Sequence, residues 1–223
     1  KIFDWTIPQE WVVDEAYFIG PDGKKYCDIK ENNLHLINYS EGFERTLSYE
    51  ELEPHLLTLP DSPEAIPYFT SYYSKRWAFC LKHNEKKQLP KGDYQVVIKT
   101  KFIEGSLTLS GCLLPGKSKE EILFSTYTCH PSLANNELSG PLAAAFLFYR
   151  LKEKKDRYYT YRFIFLPETI GSLTYLHLVA PYLKQNLKAG YVITCCGDKG
   201  DLTYKESKQQ DSFTNRAAKQ VLK

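Results

Sequence analysis

Three short apolar runs in the second half of the chain, set apart by two longer helical stretches, limit the fold more than any other feature. They are EEILFSTYT (120–128), TYRFIFLP (160–167) and AGYVITCC (189–196). Each is close to continuously apolar, the pattern of a strand buried on both faces. Between them lie GPLAAAFLFYRLKEK (140–154), with small residues at its start, and GSLTYLHLVAPYLKQNL (171–187), where Pro181 predicts a break or kink. This strand–helix alternation predicts a parallel sheet covered on both faces, an α/β layer from about residue 115 onward. The closing stretch, Asp211 to Lys223, reads as a last helix.

The first half has a different rhythm and predicts a mainly β domain. Pro21-Asp22-Gly23 is a turn signal between extended segments, and NLHLINYS (33–40) alternates like a strand. Ser48 with Glu51 has the spacing of a capping box, so a short helix is expected there. Pro60, Pro63 and Pro67 make the segment from 59 to 77 a long irregular connection. DYQVVIKTKF (93–102) and GSLTLSGCLLPG (105–116) read as a strand pair joined near Glu104-Gly105.

Composition removes several function classes. With 29 basic and 27 acidic residues, well mixed, no charge stripe invites nucleic acid. No apolar run reaches the roughly 20 residues of a membrane span, and no signal peptide opens the chain. The six cysteines show no CxxC pair and read as reduced thiols of a cytoplasmic protein, Cys195-Cys196 as buried packing. The lack of any Met, and a last helix that stops at Lys223, suggest part of a longer protein. Neither a G-x-S-x-G elbow nor a phosphate-binding glycine motif is present.

In open parallel sheets, ligands collect at the carboxyl ends of the strands. Three polar clusters fall there: His130 with Asn135, Asn136 and Glu137 after the first strand, Glu168 after the second, and Asp198 after the third. Singly, each has a plain structural use: a hydrogen-bonded histidine, a helix cap, an Asx turn, a glycine-flanked turn. Together, at successive strand ends, imidazole and carboxylates make the ligand set of zinc or an ion of similar softness. His35, His55, His83 and His177 have no acid–nucleophile arrangement nearby and read as structural.

Six stretches together carry a family resemblance. They are FDWTIPQEW (3–11), NLHLINYS, the segment 59–80, STYTCHPSLANNELSGP (125–141), FLPETIGS (165–172) and TCCGD (194–198). In these the chain resembles the bacterial aminopeptidase-like domain proteins, which are similar to di-zinc exopeptidases and are largely uncharacterised. Some members are found with genes for surface polysaccharides. The resemblance implies a zinc-exopeptidase (phosphorylase/hydrolase-like) α/β sheet layer with a smaller, mainly β inserted domain. Residues 1–9 would begin the layer, 10–112 would form the insert, and 113–223 would continue the layer.

Carried over residue by residue, the resemblance puts His130 at the first metal ligand. The family stretch resembles A-N-D-N-x-S-G, whose Asp bridges two metals; here Asn136 takes that position, with Glu137 beside it as a substitute ligand. Glu168 falls at the general base, Thr169 where a ligand glutamate would stand, and Asp198 near the acid after the third strand. The last histidine ligand would lie beyond Lys223. Tyr72, Tyr73, Arg76 and Trp77 would wall the cleft and bind substrate, or equally form a packing seam.

The expectation is a zinc-dependent, aminopeptidase-like hydrolase holding one or two zinc ions. It would cleave an amide of a peptide or small conjugate, and self-association is compatible with it. Two alternatives stand beside it: a non-catalytic binding or scaffold protein on a degenerate peptidase fold, and an amide hydrolase acting on modified sugars.

Overall fold

The computed structural model describes residues 1–71, 74–130 and 133–222. The fold is mixed α/β, with two four-stranded sheets and one two-stranded ladder. The chain divides into two compact units, residues 8–106 and residues 1–7 with 107–223. The first is therefore inserted in the sequence of the second.

The inserted unit holds β1 (Glu10–Ile19), β2 (Lys25–Tyr26), β3 (Phe43–Ser48), α1 (Tyr49–Leu52), β4 (Leu56–Leu57), β5 (Phe79–Cys80), α2 (His83–Gln88) and β6 (Asp93–Ile103). Its main sheet is antiparallel in the order β2-β1-β6-β3. Ala16 and Phe18 of β1 and Tyr94, Val96 and Ile98 of β6 point into one core, the two-residue period of a half-buried strand. Ser48 and Glu51 form the expected capping box at α1.

Two sequence expectations fail here. NLHLINYS is not a strand: Asn32 accepts from the Leu34 backbone N–H and starts a 3-10 turn over Asn33–His35. A local Asx bond has outcompeted the ladder. Nor do 93–102 and 105–116 pair with each other, because β6 is already flanked by β1 and β3 and the next strand joins the other unit's sheet.

The second unit holds β7 (Ser110–Leu114), β8 (Glu121–Tyr127), α3 (Ala134–Glu137), α4 (Ser139–Glu153), β9 (Thr160–Leu166), α5 (Ile170–Asn186), β10 (Leu187–Val192) and α6 (Phe213–Val221). The strand order is β10-β8-β9-β7, with the first three parallel and β7 antiparallel at one edge. The sheet is thus mixed rather than purely parallel. Pro181 does not break α5, which runs through it. The third apolar run leaves the ladder after Val192, so Thr194, Cys195 and Cys196 are loop.

The chain steps from β8 to β9 one way and from β9 back past β8 to β10 the other way. Right-handed crossovers then require α4 and α5 on opposite faces. The packing agrees: Phe163 of β9 is buried with Ala144 of α4, while its neighbour Arg162 reaches Tyr175 and Tyr182 of α5. The reversal of direction lies between β8 and β10, and the crevice at their carboxyl ends is where such folds bind ligands. No helix among the described residues is long and apolar enough to cross a membrane.

A buried ion pair at the opposite end of the strands ties α5 to the sheet. Glu121, 1% exposed, takes two bonds from Arg162, at 2.6 and 3.0 Å, and one from the Tyr182 hydroxyl at 2.6 Å. Burial by itself pushes the Glu121 carboxyl up. The Arg162 and Tyr182 hydrogen bonds and the guanidinium charge outweigh it and hold the group below its usual range. Its stabilisation is therefore complete above the unfolded value of about 4.3 and is lost as pH falls through the folded value. Arg162→Leu should cost about 3–5 kcal/mol in urea unfolding at neutral pH, by stranding the Glu121 charge. The variant's stability should also fall less steeply with acid than that of the parent.

Candidate functional site

β8 delivers the first functional loop. After Tyr127 the chain stays on the sheet for one more bond, Thr128 N–H to Leu166 O at 3.1 Å, and then turns away at Cys129. The Cys129 backbone N–H donates to Glu137 Oε2, and His130 Nδ1 lies 2.6 Å from Glu137 Oε1. Glu137 is buried in α3, so both of its oxygens face this loop. The bond fixes the imidazole and directs Nε2 to the other side, where Glu168 Oε2 is 3.5 Å away. Glu168 itself follows β9, and its backbone N–H donates to Cys129 Sγ at 3.0 Å.

Cys129, His130 and Glu168 therefore converge, each offering one ligand atom, all within 4.8 Å of one another. Among the described residues this is the group of three that could hold a metal ion. Thiolate, imidazole and carboxylate are all zinc donors. Among the described residues neither Glu137 nor Glu168 pairs with Lys or Arg; both face His130. Burial pushes the Cys129 thiol up to about 11; the Glu168 backbone N–H draws it down, and the charges of Glu137 and Glu168 push it up again. Acids crowded around one imidazole are the electrostatic setting a cation relieves.

The start of α4 builds the other wall. Gly140 sits directly on the Ile193 carbonyl, where any Cβ would collide, and a Cβ would also come within 2.6 Å of Thr126 Oγ1. Ser139 Oγ accepts from the Cys196 N–H at 2.9 Å and donates to Asn135 O at 2.5 Å. Asn135 clamps the loop after β10 at both ends of its amide: Oδ1 accepts from Gly197 N–H and Nδ2 donates to Asp198 Oδ2, each at 2.8 Å. Asn136 turns the other way, its Nδ2 donating to the Tyr127 hydroxyl at 3.1 Å and lying 3.5 Å from Cys195 Sγ. Thr194 Oγ1 donates to the same Tyr127 hydroxyl at 2.5 Å.

Two backbone outliers flank the site. Thr169 has φ +57° and ψ −69°, and Cys195 has φ +50°. For a β-branched residue such as Thr169 this region is strained, of order 1–3 kcal/mol, and such strain gathers at functional sites.

Of the residues the sequence pointed to, the structure brings His130 and Glu168 together and sets Glu137 behind His130 as its Nδ1 partner. Asn136 and Asp198 have other partners, the first Tyr127 and the second Asn135 and the Gly200 N–H. Trp77 is a correction: it is core of the inserted unit, stacked on His55 at 3.8 Å and Phe43 at 4.4 Å, and walls no cleft. Its indole satisfies packing, not a ligand. Arg76 is exposed and donates to Thr70 O, while Tyr72 and Tyr73 lie outside the described residues. Cys195 is exposed, not buried packing. His35, His55 and His83 bond to Cys80 O, Trp77 O and Thr58 Oγ1, as structural histidines do. Sequence reasoning missed Cys129, whose signal was its place beside His130 at a strand exit.

Comparison with known proteins bears on this site. A family described as "Domain of unknown function (DUF4910)" matches residues 1–223. A Clostridium acetobutylicum protein named "Putative polysaccharide biosynthesis protein with aminopeptidase-like domain" is 44% identical over 222 residues, covering 100% of this chain and 51% of that protein. A crystal structure of a "putative peptidase" from Clostridium acetobutylicum superposes with a TM-score of 0.94 at 44% identity, over 100% of this chain and 52% of that one. The chain thus spans about half the length of these relatives.

Gly140→Ala should lower stability by about 1–3 kcal/mol, the usual cost of overpacking. It should also loosen the loop from 193 to 198, read as faster amide hydrogen exchange there than in β9.

Proposed function

The chain belongs to the DUF4910 family of domains of unknown function, and from that premise we propose that it carries a zinc-dependent, aminopeptidase-like hydrolase site cleaving an amide bond of a peptide or small conjugate. The observation that carries the reading is the convergence of Cys129, His130 and Glu168 at the carboxyl ends of β8 and β9. The peptidase-like names of the two relatives agree with it. In this reading the β7–β10 sheet with α4 and α5 is a zinc-exopeptidase layer and residues 8–106 are its insert.

The donor set suits the ion: a thiol, an imidazole held by a carboxylate at its far nitrogen, and a carboxylate. Zinc bound there supplies a Lewis acid and a water of lowered pKa. The chain's own residues do the rest. Glu137 fixes His130 through Nδ1. Glu168 would hold the ion through one carboxylate oxygen, and the other, half-exposed where solvent and substrate reach it, would take a proton from the attacking water and return it to the leaving nitrogen. A reducing, cytoplasmic setting suits Cys129, which must stay unoxidised to serve as a ligand.

Asn136 favours a second reading. An amide stands where the resembled family has a bridging carboxylate, which suits one metal better than two, or a binding protein that keeps the fold without the chemistry. The polysaccharide part of the relative's name supports a modified sugar as the source of the amide.

The test is metal content by elemental analysis, with hydrolysis of aminoacyl p-nitroanilides measured on the same samples. We expect about one zinc per chain, reduced in His130→Ala and Cys129→Ser, and no turnover in Glu168→Gln. Absence of stoichiometric metal after zinc addition overturns the hydrolase reading in favour of the binding protein. Glu137→Gln should weaken zinc binding about 10–100-fold without removing a ligand, measured by chelator competition.

A further inference from the structure

Beside the cluster lies a groove that the chemistry of Cys129, His130 and Glu168 leaves unused. Its volume is about 530 Å³, within the range of small-molecule sites. Cys129, His130 and Glu137 form one side of it. The other side is Leu133, Ala134, Leu138 and Pro141, apolar throughout. The chain builds that wall by running α3 almost directly into α4, with Leu138 in right-handed helical backbone between them. The Glu137 N–H donates to Leu133 O at 2.7 Å and the Leu138 N–H to Ala134 O at 2.9 Å. Residues four apart share a helix face, so Leu133 lies beside Glu137 and Leu138 beside Ala134. Pro141 falls in the first turn of α4, where a missing N–H breaks no helical bond. Leu138 is 58% exposed, apolar area that a ligand would remove from water. Among the described lining residues, Thr128 alone adds a polar side chain that the cluster does not already engage.

We infer that this groove takes an apolar side chain, of leucine or phenylalanine size, next to the scissile amide, so that the substrate is a peptide and not a sugar conjugate. The inference rests on the amide-hydrolase reading and separates two of its substrate classes. His130 and Cys129 belong both to the groove and to the metal-competent cluster, so a group seated in the groove holds the adjoining amide at that cluster. A sugar ring brings several hydroxyls, each of which loses water on entering and needs a partner in return. One threonine hydroxyl cannot serve them all. An apolar side chain needs no such partner and is drawn in by covering Leu138, Ala134 and Leu133.

The test is a dipeptide series on the zinc-loaded protein. We expect kcat/KM for leucyl-glycine or glycyl-leucine to exceed that for glycyl-glycine by about 100-fold, the preferred order telling which side of the amide enters the groove. Leu138→Lys puts a charge at the mouth, and Ala134→Trp fills the space. Each should cut the leucine preference below about tenfold, with zinc content and melting temperature close to those of the parent. A parent without leucine preference overturns the inference, and so does a preference unchanged in both variants or lost in both only together with zinc or fold. Faster release of acetate from N-acetylglucosamine than cleavage of any dipeptide overturns it too, while the hydrolase reading stands. If none of these substrates is hydrolysed, that reading fails separately, and the groove is tested by NMR titration of the isotope-labelled protein with N-acetylleucinamide and N-acetylglucosamine. Shifts at Leu133, Ala134 and Leu138 with the first, and binding of the second weaker by about tenfold, then support the groove. Equal binding of the two, or none, overturns it.

Discussion

The close approach of α4 to the end of β10 is the contact on which the site depends. Gly140 lies against the Ile193 carbonyl, and only a residue without Cβ lets the helix start there. From that seat, one turn of α3 and the first turn of α4 reach two loops and the end of β8 at once. Asn135 and Ser139 hold the loop after β10, Asn136 holds Tyr127, and Glu137 holds the His130 loop. A shift of the helix by the width of a methyl group would move all four side chains together, because the interior is close-packed.

The electrostatics divide between the two ends of the strands. At the amino ends, Glu121 is matched by Arg162 and the Tyr182 hydroxyl, and its charge is satisfied. At the carboxyl ends, Glu137 and Glu168 meet a single imidazole and a thiol raised by burial. The first arrangement holds the sheet to α5. The second is unbalanced in charge, which is common where chemistry is done and uncommon where only packing is required.

Much of the fold was legible because local periodicity and burial agreed. The runs at 120–128 and 160–167 became β8 and β9, both helices between the strands appeared, and Ser48 with Glu51 capped α1. Failures occurred where a local signal met a non-local competitor. Residues 33–40 alternate like a strand, but Asn32 captures the backbone first. Residues 105–116 look like the partner of β6, but β1 and β3 already fill both its edges. Position in the chain assigns Trp77 to the cleft or to a packing seam, and position alone does not tell a ligand wall from a core.

By itself the sequence determined the alternation of strand and helix and the presence of His130 and Glu168 just after strand ends, since these depend on spacing along the chain. Only the tertiary structure decided which groups meet. It set Cys129 beside Glu168, put Glu137 behind His130, and turned Asn136 to Tyr127 and Asp198 to Asn135. Those choices depend on the strand order β10-β8-β9 and on how closely α4 can approach, and both are set by contacts between residues far apart in the chain.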